Sequence, residues 1–227
     1  MSSSELSAEI QAVRTKIAVL GQLLYEKRLT DAAGGNISAR VSNHICITPR
    51  YSGQRRRWRL SAEEVLVTDL QGNVMHGEGA ISRESKVHLR VYADFPEARA
   101  IIHAHPLHVL AFCVMRQPIP PVLEATLKFG VIGVTQFAPA HSSELASLVS
   151  EALRGQETRM KQQAAAVLTP WHGIFCVGCD LDSVFDAVER IETNARLILM
   201  LRSAFGEAAL QESQQALARS VEHWRKS

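Results

Sequence analysis

A short apolar segment that ends in two histidines and a proline constrains this chain more than any other part of its sequence. The run Arg99-Ala-Ile-Ile-His-Ala-His-Pro106 predicts a buried strand over 100–105, because proline disfavours a helix directly after the apolar residues. Side chains two positions apart on a strand point to the same side. His103 and His105 are therefore expected to stand together at the end of the strand, whereas a helix would turn the two rings about 200° apart.

This pair of histidines has two interpretations. Two neutral imidazoles on one face of a strand make half of a metal site, and histidine is the usual ligand of zinc. A histidine beside an apolar strand is also commonly a core residue whose ring is satisfied by hydrogen bonds. The pair alone does not decide between the two, so the rest of the chain has to.

The composition is that of an ordinary soluble globular protein. The chain has 227 residues, of which 46% are hydrophobic and 21% charged, enough for one domain with a substantial core. A net charge of +2 gives no reason to expect nucleic acid or an anionic membrane as a partner. The start of the chain lacks the features of a signal peptide, and no apolar run has the length of a membrane span. We therefore expect a cytoplasmic protein.

Helical and strand-like patterns follow one another along the chain and predict an α/β fold. Apolar residues recur at helical spacing over 5–28 and over 182–205, and Ser82 is expected to cap a helix over 82–93. The remaining predicted elements are helices over 107–116 and 143–154 and strands over 37–47, 65–68, 74–75, 165–168 and 173–177. No linker divides the sequence, so we expect one domain over 1–227, with a core over 5–205 and a polar helical tail.

A third histidine and a glutamate are further candidates. His172 precedes Gly173 at the start of a predicted strand, where a glycine permits close packing of the backbone. Three histidines with an open fourth position are typical of catalytic zinc sites, although only tertiary folding can bring His172 to the other two. Glu84 has a simpler explanation, because a glutamate in the first turn of a helix interacts favourably with the helix dipole.

The four cysteines point weakly to a reducing compartment. Cys46 and Cys113 stand alone in apolar surroundings and are predicted to be buried thiols. Cys176 and Cys179 form a C-x-x-C sequence, but the chain has no second pair of ligands at matched spacing for a structural zinc site. Their position before a predicted helix leaves a redox role open.

Five short motifs occur in order along the chain. They are Ala33-Gly-Gly-Asn-Ile-Ser38, Ile47-Thr-Pro49, Ser82-Arg-Glu84, His103-Ala-His105-Pro106 and His172-Gly173. Together they resemble the class II aldolase/adducin family over residues 5–205. The resemblance implies a central, mainly antiparallel sheet flanked by helices, and a homotetramer with its sites at subunit boundaries. It also implies a bound divalent metal, with Zn²⁺ first and Mn²⁺ or Co²⁺ as alternatives.

The resemblance also implies residue roles. His103, His105 and His172 would hold the metal, and Glu84 would be the acid/base and a candidate fourth ligand when substrate is absent. The positions that match the family's site for a substrate phosphate are Gly35, Asn36, Thr48 and Ser82. These placements are physically coherent, because a glycine-rich loop exposes N–H groups to an anion and a helix N-terminus favours negative charge.

The reaction implied by the resemblance is zinc-dependent cleavage of a phosphorylated ketose. The products would be dihydroxyacetone phosphate and an aldehyde, formed through a metal-stabilised enediolate. A sugar-phosphate 4-epimerase, a dehydratase or a keto-sugar-acid decarboxylase would use the same metal site. The family's 4-epimerase has Asp where Glu84 stands, which favours an aldolase. The last alternative is an adducin-like interaction module without catalysis, and the retained histidines and Glu84 argue against it.

Two positions depart from the pattern of the family's aldolases. Arg83 stands where an aldolase of the family has Ser, and it would strengthen phosphate binding or recognise a second anion. Glu124 stands where that aldolase uses a Tyr from a neighbouring subunit. A carboxylate there is a candidate proton shuttle, although without the pKa of a phenol.

The basic segment Gln54–Arg59 and two histidines complete the set of candidates. The segment is interpreted as a solvated loop before a capping box over 61–64, or as an extra clamp for a phosphate or carboxylate. His88, one turn after Glu84, is a candidate to support the metal site or to shuttle a proton. His141 is expected near the entrance of the site.

Overall fold

The computed structural model describes residues 3–226. The helices and strands follow one another in the order α1 (Ser3–Glu26), β1 (Asn36–Val41), β2 (His44–Ile47), α2 (Ser52–Arg56), β3 (Leu66–Thr68), β4 (Val74–His76), α3 (Ser85–Asp94), β5 (Ala100–Ala104), α4 (Leu107–Met115), β6 (Gly133–Val134), α5 (Ser143–Leu153), α6 (Glu157–Gln162), β7 (Ala164–Thr169), β8 (Gly173–Gly178) and α7 (Leu181–Lys226). Short 3-10 helices cover Ala62–Glu64 and Glu124–Phe129.

The strands form one sheet in the order β4-β3-β2-β1-β5-β8-β7-β6. Neighbouring strands are antiparallel except for β6 and β7, which pair in parallel. The predicted α/β fold, with a mainly antiparallel central sheet flanked by helices, is confirmed. Within residues 3–226 no helix has both the length and the hydropathy needed to cross a bilayer.

Helices cover both faces of the sheet, and the central strand β5 shows why. Ala100, Ile102 and Ala104 belong to the core beneath α1, α4 and α7, whereas Ile101 belongs to the core beneath α3 and α5. This alternation is the two-residue period of a strand buried on both sides. His103 continues the series on the side of Ile101, at the point where the strand ends.

The basic segment is solvated over most of its length, since Gln54, Arg55, Arg57 and Arg59 are exposed, but its tryptophan is not. After α2, Arg57 and Trp58 both adopt left-handed backbone conformations, with φ of 48° and 61°. The Trp58 side chain is fully buried, and its Nε1–H donates to the carbonyl of Asp31 at 3.0 Å. The prediction of a solvated loop is therefore wrong at Trp58, because the large apolar area of tryptophan favours burial. The capping box is confirmed, since Ser61 N–H donates to the carboxylate of Glu64 at 3.0 Å.

Two predicted helix limits need correction or completion. Helix α3 begins at Ser85, and Ser82 accepts a hydrogen bond from Glu84 N–H at 3.3 Å, so Ser82 stabilises the turn before the helix. Glu84 is the residue that precedes the helix, and its carboxylate accepts a hydrogen bond from outside α3. The predicted long helix and polar tail are both parts of α7, divided at Gly206 with φ 82° and ψ 170°.

Replacing Trp58 with alanine is expected to destabilise the fold strongly. The change removes a fully buried indole and leaves a cavity, which costs about 3–5 kcal/mol of unfolding free energy. The measurement is urea unfolding, with Trp171→Ala as the matched control, because Trp171 is 53% exposed. Equal losses of unfolding free energy in the two variants would contradict the anchoring role of Trp58.

Candidate metal centre

Strand pairing brings the three predicted ligands together. Strands β5 and β8 are antiparallel, with Ala104 opposite Ile174, so the end of β5 lies beside the start of β8. His105 directly follows β5 and His172 directly precedes β8. One ring nitrogen from each of His103, His105 and His172 lies within 4.8 Å of the others. The expected convergence of these histidines is therefore observed in the fold.

The hydrogen bonds of two of the rings show what the group can bind. Nδ1–H of His103 donates to the carbonyl of Ile174 at 3.0 Å, and Nδ1–H of His105 donates to a carboxylate oxygen of Asp31 at 3.3 Å. Each Nε2 therefore carries a lone pair, and these two Nε2 atoms are 3.2 Å apart. Two lone pairs at this distance repel each other unless a cation lies between them, so the donor set fits a metal ion.

Burial keeps the His103 and His172 imidazoles in the neutral form that binds a metal. It lowers the pKa of His172 to about 4 and the pKa of His103 well below its usual value, with a further contribution from the neighbouring histidines. The ring of Phe175 stacks on His103 with centroids 4.2 Å apart, which shields that ligand from water. Neutral imidazoles require no deprotonation before they bind a divalent ion at neutral pH.

Two glycines leave the space that the ligands occupy. A Cβ atom on Gly34 would lie 2.3 Å from His105 Cε1. A Cβ atom on Gly173 would lie 2.5 Å from the carbonyl oxygen of Ala104 and 2.7 Å from His105 Cδ2. Both positions require glycine because backbone approaches a ligand closely there. This accounts for the glycine next to His172 in the sequence.

Glu84 lies beside this group and is bound by His141. Glu84 is 4% exposed, and its Oε1 accepts a hydrogen bond from His141 N–H at 3.0 Å. The ring Nδ1 of His141 also contacts this oxygen. Burial raises the pKa of the Glu84 carboxyl, and His141 acts in the opposite direction. Among the described residues, Oε2 of Glu84 is buried without a hydrogen-bond partner.

A cavity of about 260 Å³ joins the histidines, Glu84 and the glycine-rich loop. Four of the five positions considered for phosphate binding line it, namely Gly35, Asn36, Ser82 and Arg83. Nδ2–H of Asn36 donates to Ser82 Oγ at 3.0 Å, which ties the loop to the turn before α3. His141 also lines this cavity, as expected.

The comparisons with known proteins agree with this geometry. The sequence profile described as "Class II Aldolase and Adducin N-terminal domain" matches residues 15–199. The L-fuculose phosphate aldolase of Methanococcus maripaludis is 30% identical over 176 residues, which are 77% of this chain and 89% of that protein. The chain belongs to the class II aldolase/adducin family. It retains the three-histidine group, and we class it with the family's metal-dependent carbon–carbon lyases.

Two further members of the class II aldolase family are similar over most of their length. The crystal structure of L-fuculose-1-phosphate aldolase from Thermus thermophilus superposes with a TM-score of 0.71 and 30% identity, over 88% of this chain and 98% of that one. The 3-oxo-tetronate 4-phosphate decarboxylase of Haemophilus influenzae is 30% identical over 193 residues, which are 81% of this chain and 85% of that protein. The relatives therefore include two kinds of carbon–carbon bond cleavage.

Three candidates lie outside the cavity of this class II aldolase/adducin family member. Thr48 is fully buried and accepts a hydrogen bond from Ile37 N–H at 3.1 Å, so it supports the loop instead of lining the cavity. His88 is also fully buried and hydrogen-bonded to Ser38 at 2.6 Å, its ring packs edge-on against Phe175, and it does not line the cavity. Glu124 is exposed on a 3-10 helix, so its role toward a neighbouring subunit stays a prediction.

Sequence reasoning missed Asp31 and the contact of His141 with Glu84. Asp31 also accepts hydrogen bonds from Ala33 N–H at 2.8 Å and Gly34 N–H at 3.1 Å, and the bond from His105 contributes most to lowering the pKa of its carboxyl. The sequence feature that could have pointed to Asp31 is an aspartate beside two glycines, but this combination is also common in ordinary turns.

The four cysteines are free, and burial raises the pKa of Cys46 and Cys113 to about 12, as expected for buried thiols.

Replacing His103 with alanine is expected to abolish stable metal binding. The change removes one of three nitrogen ligands, and two imidazoles hold a divalent ion far more weakly than three. Protein loaded with Zn²⁺ and passed through a desalting column is assayed for metal by mass spectrometry. His76→Ala is the control, because His76 lies exposed on β4. A stoichiometric zinc content in His103→Ala would show that the ligand set is wrong.

Replacing Gly173 with alanine is expected to weaken zinc binding about 10- to 100-fold, the usual effect of disturbing what supports a ligand. The new Cβ would collide with the carbonyl of Ala104 and the ring of His105. Competition with a chromogenic chelator measures the affinity. Gly133→Ala is the matched control, because no atom lies within 4 Å of the Cβ position at Gly133. Equal affinities in the two variants would contradict the close approach.

Proposed function

We propose that this class II aldolase family member is a zinc-dependent aldolase that cleaves a phosphorylated ketose to dihydroxyacetone phosphate and an aldehyde. The observation that carries the proposal is the buried Glu84 carboxyl beside three convergent histidines, in a cavity that also contains a glycine-rich loop. The similarity to L-fuculose phosphate aldolases supports it. Zn²⁺ is proposed as the metal because three imidazole nitrogens with an open position are typical of catalytic zinc, and Mn²⁺ or Co²⁺ are alternatives.

The glycine-rich loop and the turn before α3 would bind the substrate phosphate. Gly35 has φ of 90°, and no side chain obstructs the approach of an anion to this part of the loop. The Ser82 hydroxyl and the Asn36 amide lie on the same wall, and Arg83 adds a positive charge. This wall would hold the phosphorylated end of the ketose and set the position of the reacting carbons relative to Glu84.

Glu84 would move the proton. A divalent metal, when bound by the three histidines, supplies Lewis-acid stabilisation of negative charge on the substrate oxygens. During cleavage Glu84 in its acid form would protonate the carbon that becomes a hydroxymethyl group of dihydroxyacetone phosphate. In the reverse direction its carboxylate would remove that proton. Burial raises the pKa of the Glu84 carboxyl, which favours its acid form relative to an exposed glutamate, and His141 would keep the group oriented.

A decarboxylase is the second candidate. The similarity to 3-oxo-tetronate 4-phosphate decarboxylase favours it, at the same 30% identity as the archaeal aldolase. Loss of carbon dioxide beta to a carbonyl also leaves an enediolate that an acid must protonate, so Glu84 would have the same task. A 4-epimerase or dehydratase would use the same metal site with different proton transfers.

We further propose that residues 1–227 form one domain of a cytoplasmic homotetramer with its sites at subunit boundaries. Exposed apolar side chains next to the metal centre support an interface there. Leu107, two residues after His105, is 68% exposed, and Met115 at the other end of α4 is 65% exposed. A neighbouring chain on this face would bring its own Glu124, or a residue close to it, toward the substrate.

The test is hydrogen exchange on dihydroxyacetone phosphate in D2O, followed by NMR with zinc-loaded protein. An aldolase is expected to exchange one hydrogen stereospecifically without any aldehyde, because this proton transfer begins the synthetic direction. Glu84→Gln should retain zinc but exchange at least about a hundredfold more slowly, the scale of acid/base catalysis. Glu78→Gln, at an exposed position outside the cavity, is the control. No exchange by the zinc-loaded wild type would favour the epimerase or dehydratase. A decarboxylase would exchange the same hydrogen but would not condense dihydroxyacetone phosphate with an aldehyde, so adding aldehydes to the same sample separates it from the aldolase.

A further inference from the structure

A second, larger cavity of about 690 Å³ adjoins the metal centre. It shares Ala32 and His105 with the cavity that contains Glu84, so the two cavities meet at a metal ligand. Its other walls come from the end of α1, the segment after α2 and the start of α4. A molecule bound at the metal centre would therefore be close both to the glycine-rich loop and to this second cavity.

Three arginines line the second cavity without side-chain partners among the described residues. They are Arg28, Arg57 and Arg59. Their neighbours in sequence differ, because Arg55 lies over the ring of Tyr51 at 4.4 Å and Arg56 pairs with Glu64 at 2.5 Å. Neither Arg55 nor Arg56 lines this cavity. The unpaired guanidinium groups are thus the ones that face the cavity next to the metal ligand.

The carboxylates in this cavity are already engaged. Glu26 accepts a hydrogen bond from the Gln22 amide at 2.7 Å. Asp31 accepts hydrogen bonds from His105 and from two backbone N–H groups of its own loop. Three guanidinium groups therefore share the cavity with two occupied carboxylates, which leaves donors for an additional anion.

The backbone is constrained where it presents the arginines. Arg28, Arg57 and Trp58 all have positive φ, at 57°, 48° and 61°, which non-glycine residues adopt at a cost in conformational energy. Burial of the Trp58 ring and its bond to Asp31 hold this conformation in place. Arg57 and Arg59 are therefore held on either side of a fixed anchor beside the cavity, and do not lie on a loose loop.

We propose that this arginine cavity binds a carboxylate at the end of the substrate remote from its phosphate. The substrate class is then a phosphorylated sugar acid, and this inference rests on the proposed function of the metal centre. The residues proposed for the phosphate line only the other cavity, so the two anionic ends of the substrate would lie in two cavities that meet at His105. Guanidinium groups suit this task, because they pair with a carboxylate through two parallel hydrogen bonds.

The test compares two stable phosphates that differ only at the remote end. The probes are 4-phospho-D-erythronate, which carries a carboxylate, and D-erythritol 4-phosphate, which carries a hydroxymethyl group. Binding to zinc-loaded, full-length protein is measured by calorimetry at 0.15 M salt, about the ionic strength at which distant charges are screened. The acid is expected to bind at least about tenfold more tightly, as for a charge-assisted pair.

Variants assign this preference to the arginines. Arg57→Met with Arg59→Met should remove the preference for the acid and leave the affinity for the alcohol within about twofold, because the phosphate cavity is untouched. Arg55→Met is the matched control from the same segment and should keep the preference, since Arg55 does not line the cavity. Circular dichroism and zinc content confirm that the double variant is folded and loaded.

Several results would overturn the proposal. Equal affinity of the wild type for both probes, or binding of neither, would remove the basis for a sugar acid. A preference that survives in the double variant would lie at the zinc ion and not in the arginine cavity. A smaller oligomer in the double variant, with the preference intact, would make the cavity a subunit interface. If the protein prefers the acid but does not exchange hydrogen on dihydroxyacetone phosphate, the arginine cavity keeps its proposed role and the aldolase activity is rejected.

Discussion

The opposition of two imidazole lone pairs at the end of β5 is the constraint on which the rest of the site depends. With Nε2 of His103 and His105 3.2 Å apart, the arrangement is unfavourable unless a cation lies between them. The chain maintains it by pairing β5 with β8 and by fixing both Nδ1 atoms in hydrogen bonds. Glycines at 34 and 173 leave room for the rings. The binding energy of a metal would therefore also stabilise the sheet where the end of β5 lies beside the start of β8.

The parts of the site that could be predicted from the sequence are those set by local geometry. His103 and His105 face the same way because a strand has a period of two, and no distant contact is needed to know this. The fold class followed from periodic patterns and from the ordered motifs. His172 was a candidate from the sequence alone, but its position beside the other two histidines could be expected only through the resemblance, because its approach to β5 depends on the register of two strands.

The parts that escaped prediction act through contacts between distant segments. The bond between Asp31 and His105 spans 74 positions, and the bond between His141 and Glu84 spans 57. Neither residue has a local pattern that distinguishes it from an ordinary turn residue. Trp58 was misjudged for a related reason, since its arginine neighbours suggested solvent while its ring fills the space left by a glycine at 21. Composition over a short window does not reveal which single side chain turns inward.

The attachment of Glu84 separates two tasks in this fold. The metal ligands lie at the end of β5 and the start of β8, two central strands of the sheet. Glu84 instead lies just before α3 and is bound by the loop that leads into α5. Helices α3 and α5 pack against each other on one face of the sheet, so Glu84 is held by a pair of helices that supplies none of the three histidines. A change in the loop over 139–142 can alter the proton donor while the metal geometry stays as it is. Such modularity gives one scaffold a route to new reactions through substitutions in a few loop positions.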